Sequence, residues 1–172
     1  MDNATLLPVY SAFGGIILGA VATFAPAYLL ERLKKKDEIA AVTGAIATEI
    51  KVTLELLAKR RYVETIEKQL ADLRSGKSTG ATFQVMIPDD YSPIYKSHLD
   101  KVGLLPACIR NDVVTFYQLM EAAICDVRPG GLMAANRCGE QEFAELHHIA
   151  TEAVRVGNEV VRIYNDPARK LA

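Results

Sequence analysis

The tetrapeptide Gly76-Lys77-Ser78-Thr79 has the residue types that close a phosphate-binding loop. In such a loop, backbone N–H groups wrap the phosphates, the lysine reaches their oxygens, and the hydroxyl residue helps hold a magnesium ion. The same chemistry needs a further glycine where this chain has Ala71, with a strand before the loop and a helix after it. Here an amphipathic helical pattern comes before, and a loop heading for Pro88 comes after. The spacing therefore predicts a helix end at this point, with Gly76 in the left-handed conformation that terminates helices.

A second candidate is the set Glu145, His148 and Glu152, which shares one helix face. Glu-x-x-His at 145–148 is half of a di-metal carboxylate site, which needs a second such pair and more carboxylates from other helices. His98 has no glutamate three residues before it, so the second half is missing. His147 and His148 then read as ordinary members of a polar face, with no metal and no cofactor expected. Helical-bundle ribonucleases use an arginine, about four to six residues, then a histidine; Arg137 stands too far ahead of His147, and no other arginine has that spacing. No Ser-His-Asp or Cys-His arrangement can be defended either. Cys108, Cys125 and Cys138 are odd in number and lack a CxxC, which predicts free thiols in a reducing compartment. The residues thus point away from catalysis.

Tyr91, Tyr95, Phe116 and Tyr117 gather near Asp89 and Asp90 at a loop–helix junction. Tyrosines there usually pack while their hydroxyls cap backbone groups. Tyr91, Tyr95 and Tyr117 also form a candidate partner surface.

These residues have to be positioned by helices. Half of the 172 residues are apolar and the formal net charge is −1, so no basic field suggests nucleic acid. No charge interrupts the run from Asn3 to Leu30, and about 20 apolar residues suffice to cross a bilayer as a helix. Residues 1–30 are accordingly read as a transmembrane anchor, with Pro8 and Pro26 at its ends or kinks. A cleaved signal peptide, with Ala20-Val21-Ala22 as its cleavage site, is the rival reading, but no basic region precedes the apolar run. Arg32, Lys34, Lys35 and Lys36 follow the run directly and would also meet anionic lipid. The positive-inside rule then places the N-terminus outside and the rest in the cytoplasm, a single pass through a bacterial inner membrane. Ser11, Gly15, Gly19 and Thr23 line one face of the anchor, and Gly15-x-x-x-Gly19 allows close packing of two anchors, hence a homo-oligomer.

Residues 31–172 read as an all-α cytoplasmic bundle. Ile39, Val42, Ile46, Ile50, Leu54 and Leu57, then Ile66, Leu70 and Leu73, follow helical spacing. The absence of proline predicts one continuous helix from the membrane to about Leu73. An irregular crossover follows at about 76–93, in which Thr82–Ile87 resembles a strand with nothing to pair with. A short helix over Ser92–Val102 is closed by Gly103. Pro106 opens the next helix, which Arg128-Pro129-Gly130-Gly131 ends. The last helix runs from about Glu140 to Asn165. Its Ala150, Ala153 and Gly157 predict close approach to a neighbour.

The stretch from Ser92 to Met120, with Tyr95, Leu99, Gly103-Leu104-Leu105-Pro106 and Phe116-Tyr117, resembles a pattern in uncharacterised bacterial single-span membrane proteins. That resemblance implies an N-terminal anchor, a long helix and a helical domain, without catalytic residues. In layout the chain is also similar to small membrane accessory proteins of anti-phage systems, some of which form oligomeric pores. The expected function is a membrane-anchored interaction or oligomerisation protein, with membrane lipid, copies of itself and a further protein as partners. The alternative is a pore-forming effector whose Ser11/Gly15/Gly19/Thr23 faces line the channel, and a metal-dependent enzyme ranks last.

Overall fold

The structure, a computed structural model, describes residues 7–88, 90–135 and 137–166, with side chains from residue 26 onward. Among the described residues it is all-α, with no strand. The helices are α1 (Leu7–Lys59), α2 (Tyr62–Arg74), α3 (Pro93–Ser97), α4 (Ala107–Val127), α5 (Leu132–Ala135) and α6 (Glu140–Asn165). A 3-10 helix covers Leu99–Leu104. Two compact units divide the chain, residues 1–41 and 42–172.

In the first unit α1 carries Pro26 within it rather than ending there. Residues 26–38 are all exposed, including the large apolar Tyr28, Leu29, Leu30 and Leu33. Among the described residues no helix is long and apolar enough to cross a membrane. Most of the uncharged run from Asn3 to Leu30 has its side chains outside the described set, and so does the whole Ser11/Gly15/Gly19/Thr23 face. Arg32, Lys34, Lys35 and Lys36 are exposed, and the Arg32 guanidinium stands 5.3 Å from the centre of the Tyr28 ring.

The second unit is a helical bundle. Its apolar stripes meet in two adjoining cores, because each helix can hide its stripe only against another. Val42, Ile46 and Ile50 of α1, Val113, Phe116 and Met120 of α4, and Ala153, Val156 and Val160 of α6 form the first. Ile66 and Leu70 of α2, Val127 at the end of α4, and Phe143 and Leu146 of α6 form the second. The start of α6 thus lies beside the end of α4, so the two run antiparallel. Close approach holds at Gly157, where a β-carbon would lie 2.8 Å from Cε2 of Phe116. Gly139 donates its N–H to the Glu142 carboxylate (2.9 Å), which fixes the start of α6.

The expected continuous helix to Leu73 is broken at Arg60 and Arg61. Arg61 adopts a left-handed conformation, φ 53°, and α2 starts anew at Tyr62. No glycine or proline marks the spot. Packing sets it: Leu54 lies beside Gly157 of α6, while Arg74 pairs with Glu140 (3.0 Å) at the other end of the same helix. Segments 42–59 and 62–74 therefore follow α6 in succession, and the break re-aims the second stripe.

The crossover also departs from expectation. Thr82–Ile87 forms no strand, yet its stretch of chain does find backbone partners. Ala81 and Cys138 exchange N–H···O bonds as an isolated antiparallel bridge, and Phe83 and Val85 donate to the carbonyls of Met133 and Val127 (both 2.9 Å). Those partners are the last residue of α4 and two positions of the α4–α6 connection, which carry no strand pattern of their own. The short helix expected over Ser92–Val102 divides into α3 and the 3-10 helix at His98.

Candidate functional site

The Gly76-Lys77-Ser78-Thr79 segment is a helix C-cap. Gly76 has φ 69° and donates to the Leu73 carbonyl (3.1 Å), and the Lys77 N–H donates to the Asp72 carbonyl (3.0 Å). This pair of bonds is the Schellman pattern, which satisfies carbonyls that a helix end leaves without donors. The exposed Lys77 ammonium lies 3.6 Å from Asp72. Arg137 crosses the loop and donates to the Gly80 carbonyl (3.0 Å). These backbone groups and the lysine are engaged in closing α2 rather than in forming a phosphate cradle.

On α6, Glu145 accepts from Gln141 (3.1 Å), and Glu152 is gripped by Nε and Nη2 of the Arg155 guanidinium (2.8 and 2.6 Å). That bidentate bond holds the Glu152 carboxyl below its ordinary range. Among the described residues no three histidine, cysteine or acidic side chains gather at metal-binding range. Cys138 is buried, Cys125 partly so and Cys108 exposed, and all three are free thiols.

Tyr91, Tyr95 and Tyr117 are brought together. They line one open groove of about 940 Å³ between residues 86–99 and the second half of α4, within the size range of ligand and peptide clefts. Met86 and Leu99, exposed apolar side chains, stand on its rim, and Glu121 and Arg128 supply charge. Tyr95 lies flat on Tyr117, with ring centroids 3.8 Å apart and planes 8° from parallel. Phe116 meets Tyr117 edge-on at 5.2 Å and fixes its other side. The Tyr91 hydroxyl donates to Glu121 (2.8 Å), while Lys96 lies over the Tyr91 ring and pairs with Asp90 (3.4 Å).

Beneath the groove sits a carboxylate that the apolar stripe of α1 conceals. Glu49 is only 8% exposed. One of its oxygens accepts the Ile94 N–H (2.8 Å), and the other accepts the Tyr95 N–H (3.0 Å) and the Tyr117 hydroxyl (2.6 Å). A buried carboxylate is tolerable only with such donors. In return it caps the first turn of α3, whose N–H groups have no helical acceptors. Burial and then the neighbouring carboxylates, Glu121 and Glu49, push the Tyr91 and Tyr117 phenols well above their usual range, and burial alone raises Tyr95. All three stay neutral donors at physiological pH.

Sequence reasoning named the three tyrosines and missed both glutamates. Glu49 left a signal: it stands between Ile46 and Ile50 on a stripe that otherwise faces the core. Glu121, exposed on α4, left none. Together these elements define the class of protein: an all-α bundle with a tyrosine-lined cleft between a crossover segment and one helix. Set against protein-family models, curated proteins and solved structures, the chain matches none of them.

Proposed function

We propose that this protein is a membrane-anchored, non-catalytic interaction module: residues 1–30 form a single transmembrane helix and residues 31–172 a cytoplasmic bundle that binds protein partners. The observation that carries this reading is the uncharged run ending in Tyr28, Leu29 and Leu30, each more than half exposed, with the basic Arg32, Lys34, Lys35 and Lys36 within six residues of its end. Apolar side chains displayed beside basic ones suit the boundary of a bilayer. The tyrosine groove supplies the partner surface, since aromatic side chains on a firm support favour protein contacts. Gly15 and Gly19 supply close packing between anchors, giving a homo-oligomer.

Fractionation of cells expressing the full chain tests the anchor. The protein is expected in the inner-membrane fraction, resistant to alkaline extraction, and Ile17→Arg with Leu18→Arg should release it. A wild-type chain found in the soluble fraction refutes the anchor. Gly15→Leu with Gly19→Leu should lower the oligomer mass in detergent, and an unchanged mass removes the helix face from the interface. Loss of membrane potential on expression of the full chain would replace this reading with the pore-forming one.

A further inference from the structure

We infer that Glu49 is a releasable clasp, whose withdrawal lets the strap of residues 86–104 lift from the bundle and open the tyrosine groove while the α4–α6 core stays folded.

The strap is fixed at both ends. At one end the Val85 N–H is bonded to Val127, and at the other Leu105 is 1% exposed and its carbonyl accepts two bonds from the Arg110 guanidinium (3.1 and 2.7 Å). Between these points lie α3, of five residues, and a six-residue 3-10 helix. Helices this short do not persist alone, because nucleation costs more than so few bonds return. What makes α3 a helix is therefore external: the Glu49 carboxylate, which takes the N–H groups of Ile94 and Tyr95 in its first turn. The same carboxylate takes the Tyr117 hydroxyl, so one group joins α1, α3 and α4.

Other contacts remain if it leaves, since Ile94, Tyr95 and Val102 rest on the first core and Tyr91 donates to Glu121, but these offer the α3 N–H groups no acceptor. Ile94 and Tyr95 would then present unpaired N–H groups to a buried surface, which favours their exit to water. Tyr95 would leave with them and uncover Tyr117, now 3% exposed beneath its ring stack. The outer side of the strap is already wet, with Met86 at 77% and Leu99 at 56% exposure. The core residues Val113, Phe116 and Val160, at 0%, belong to a cluster that α1, α4 and α6 build from apolar side chains. Local opening separate from global unfolding is the behaviour such an arrangement gives. This inference does not depend on the membrane anchor.

Amide hydrogen exchange with mass spectrometry on the full-length chain is the test, comparing wild type with Glu49→Ala, Glu49→Gln and Tyr117→Phe. In Glu49→Ala, peptides from 91–104 should exchange about tenfold faster or more, the size expected for losing a charge-assisted cap. Peptides from 109–124 and 143–160 should stay within about threefold of wild type. Glu49→Gln keeps the side-chain volume but only one acceptor oxygen, and should fall between the two. Tyr117→Phe removes one of three donors and leaves the cap, so its strap should open less than that of Glu49→Ala. Unchanged exchange over 91–104 in both Glu49 variants overturns the inference. So does equal acceleration over 143–160, which would make Glu49 an ordinary core residue. If Glu49→Ala fails to fold, the Gln and Phe variants decide in the same way: a Tyr117→Phe strap as fast as Glu49→Gln assigns the hold to the hydroxyl and rejects the clasp.

Discussion

The Tyr117 hydroxyl donates a 2.6 Å hydrogen bond to the Glu49 carboxylate across 68 positions of sequence, and it does so inside the bundle. Phenol and carboxylate are both sheltered from water, so the bond keeps the phenol protonated far into alkali. Below pH 10, the ordinary tyrosine value, folded and unfolded chains both carry neutral phenols at Tyr91 and Tyr117, and their contribution to stability is complete. As pH rises past that value the unfolded chain ionises first, so stability should fall. Denaturant midpoints measured at about pH 9 and about pH 11 check this. Tyr117→Phe should cost about 1–2 kcal/mol at neutral pH and flatten the alkaline fall. An identical alkaline slope in wild type and variant would show that Tyr117 does not titrate with folding.

Two glycines make opposite predictions. At Gly157 an added β-carbon would press on Cε2 and Cδ2 of Phe116 at 2.8 and 2.9 Å and on Leu54 at 3.1 Å. Phe116 is fully buried and cannot swing aside, so Gly157→Ala should lose about 1–2 kcal/mol even after its gain in helix propensity. At Gly44 the obstacle is the far end of Tyr164, its hydroxyl at 2.9 Å, on a partly exposed side chain. That end can move, and Gly44→Ala should be neutral or stabilising by up to about 1 kcal/mol. Paired urea titrations give the comparison, and equal losses at both sites would refute it.

How much of this was legible follows from where each signal is stored. The bounds of α6 were, because helical spacing holds from Glu140 to Asn165 and Gly139 with Glu142 caps its start locally. The end of α4 was too, since proline and two glycines at 129–131 cannot continue a helix. The break at Arg60 and Arg61 was not, because these residues are good helix formers and only packing on α6 demands the turn. The partners of residues 81–85 were hidden for a related reason: Val127, Met133 and Cys138 are single bonding positions at irregular intervals rather than a second strand. At the groove, tyrosine is recognisable as an aromatic with a polar tip. The carboxylate that orders it comes from a helix distant in sequence.

The left-handed Arg61 offers a direct measurement of what that turn costs. An L-residue in this region is disfavoured by about 1–2 kcal/mol, and glycine is not. Arg61 is exposed, so Arg61→Gly removes little packing. The variant should be more stable by up to about 1 kcal/mol, the loss being the greater freedom of glycine in the unfolded chain. Thermal melting of both proteins provides the check. A destabilised variant would mean that the arginine side chain, not the backbone, maintains the turn.

Between the two cores lies an apolar pocket of about 60 Å³, open on one side and bordered by Ile66, Phe83, Met120, Ala123 and Leu146 among others. Its walls offer almost no polar group, so water gains little there, and the atoms around it forgo dispersion contacts. Ala123 is the small residue on α4 that faces it. Ala123→Val adds two methyl groups to the space, at the cost of a β-branched side chain in a helix. The gain should prevail by about 0.5–1 kcal/mol, raising the melting temperature by a few degrees. Ala123→Asp places a charge in the same space without a partner, and should lose about 3 kcal/mol or more. If valine and aspartate prove equally tolerated, position 123 faces solvent and the two cores are less continuous than their packing indicates.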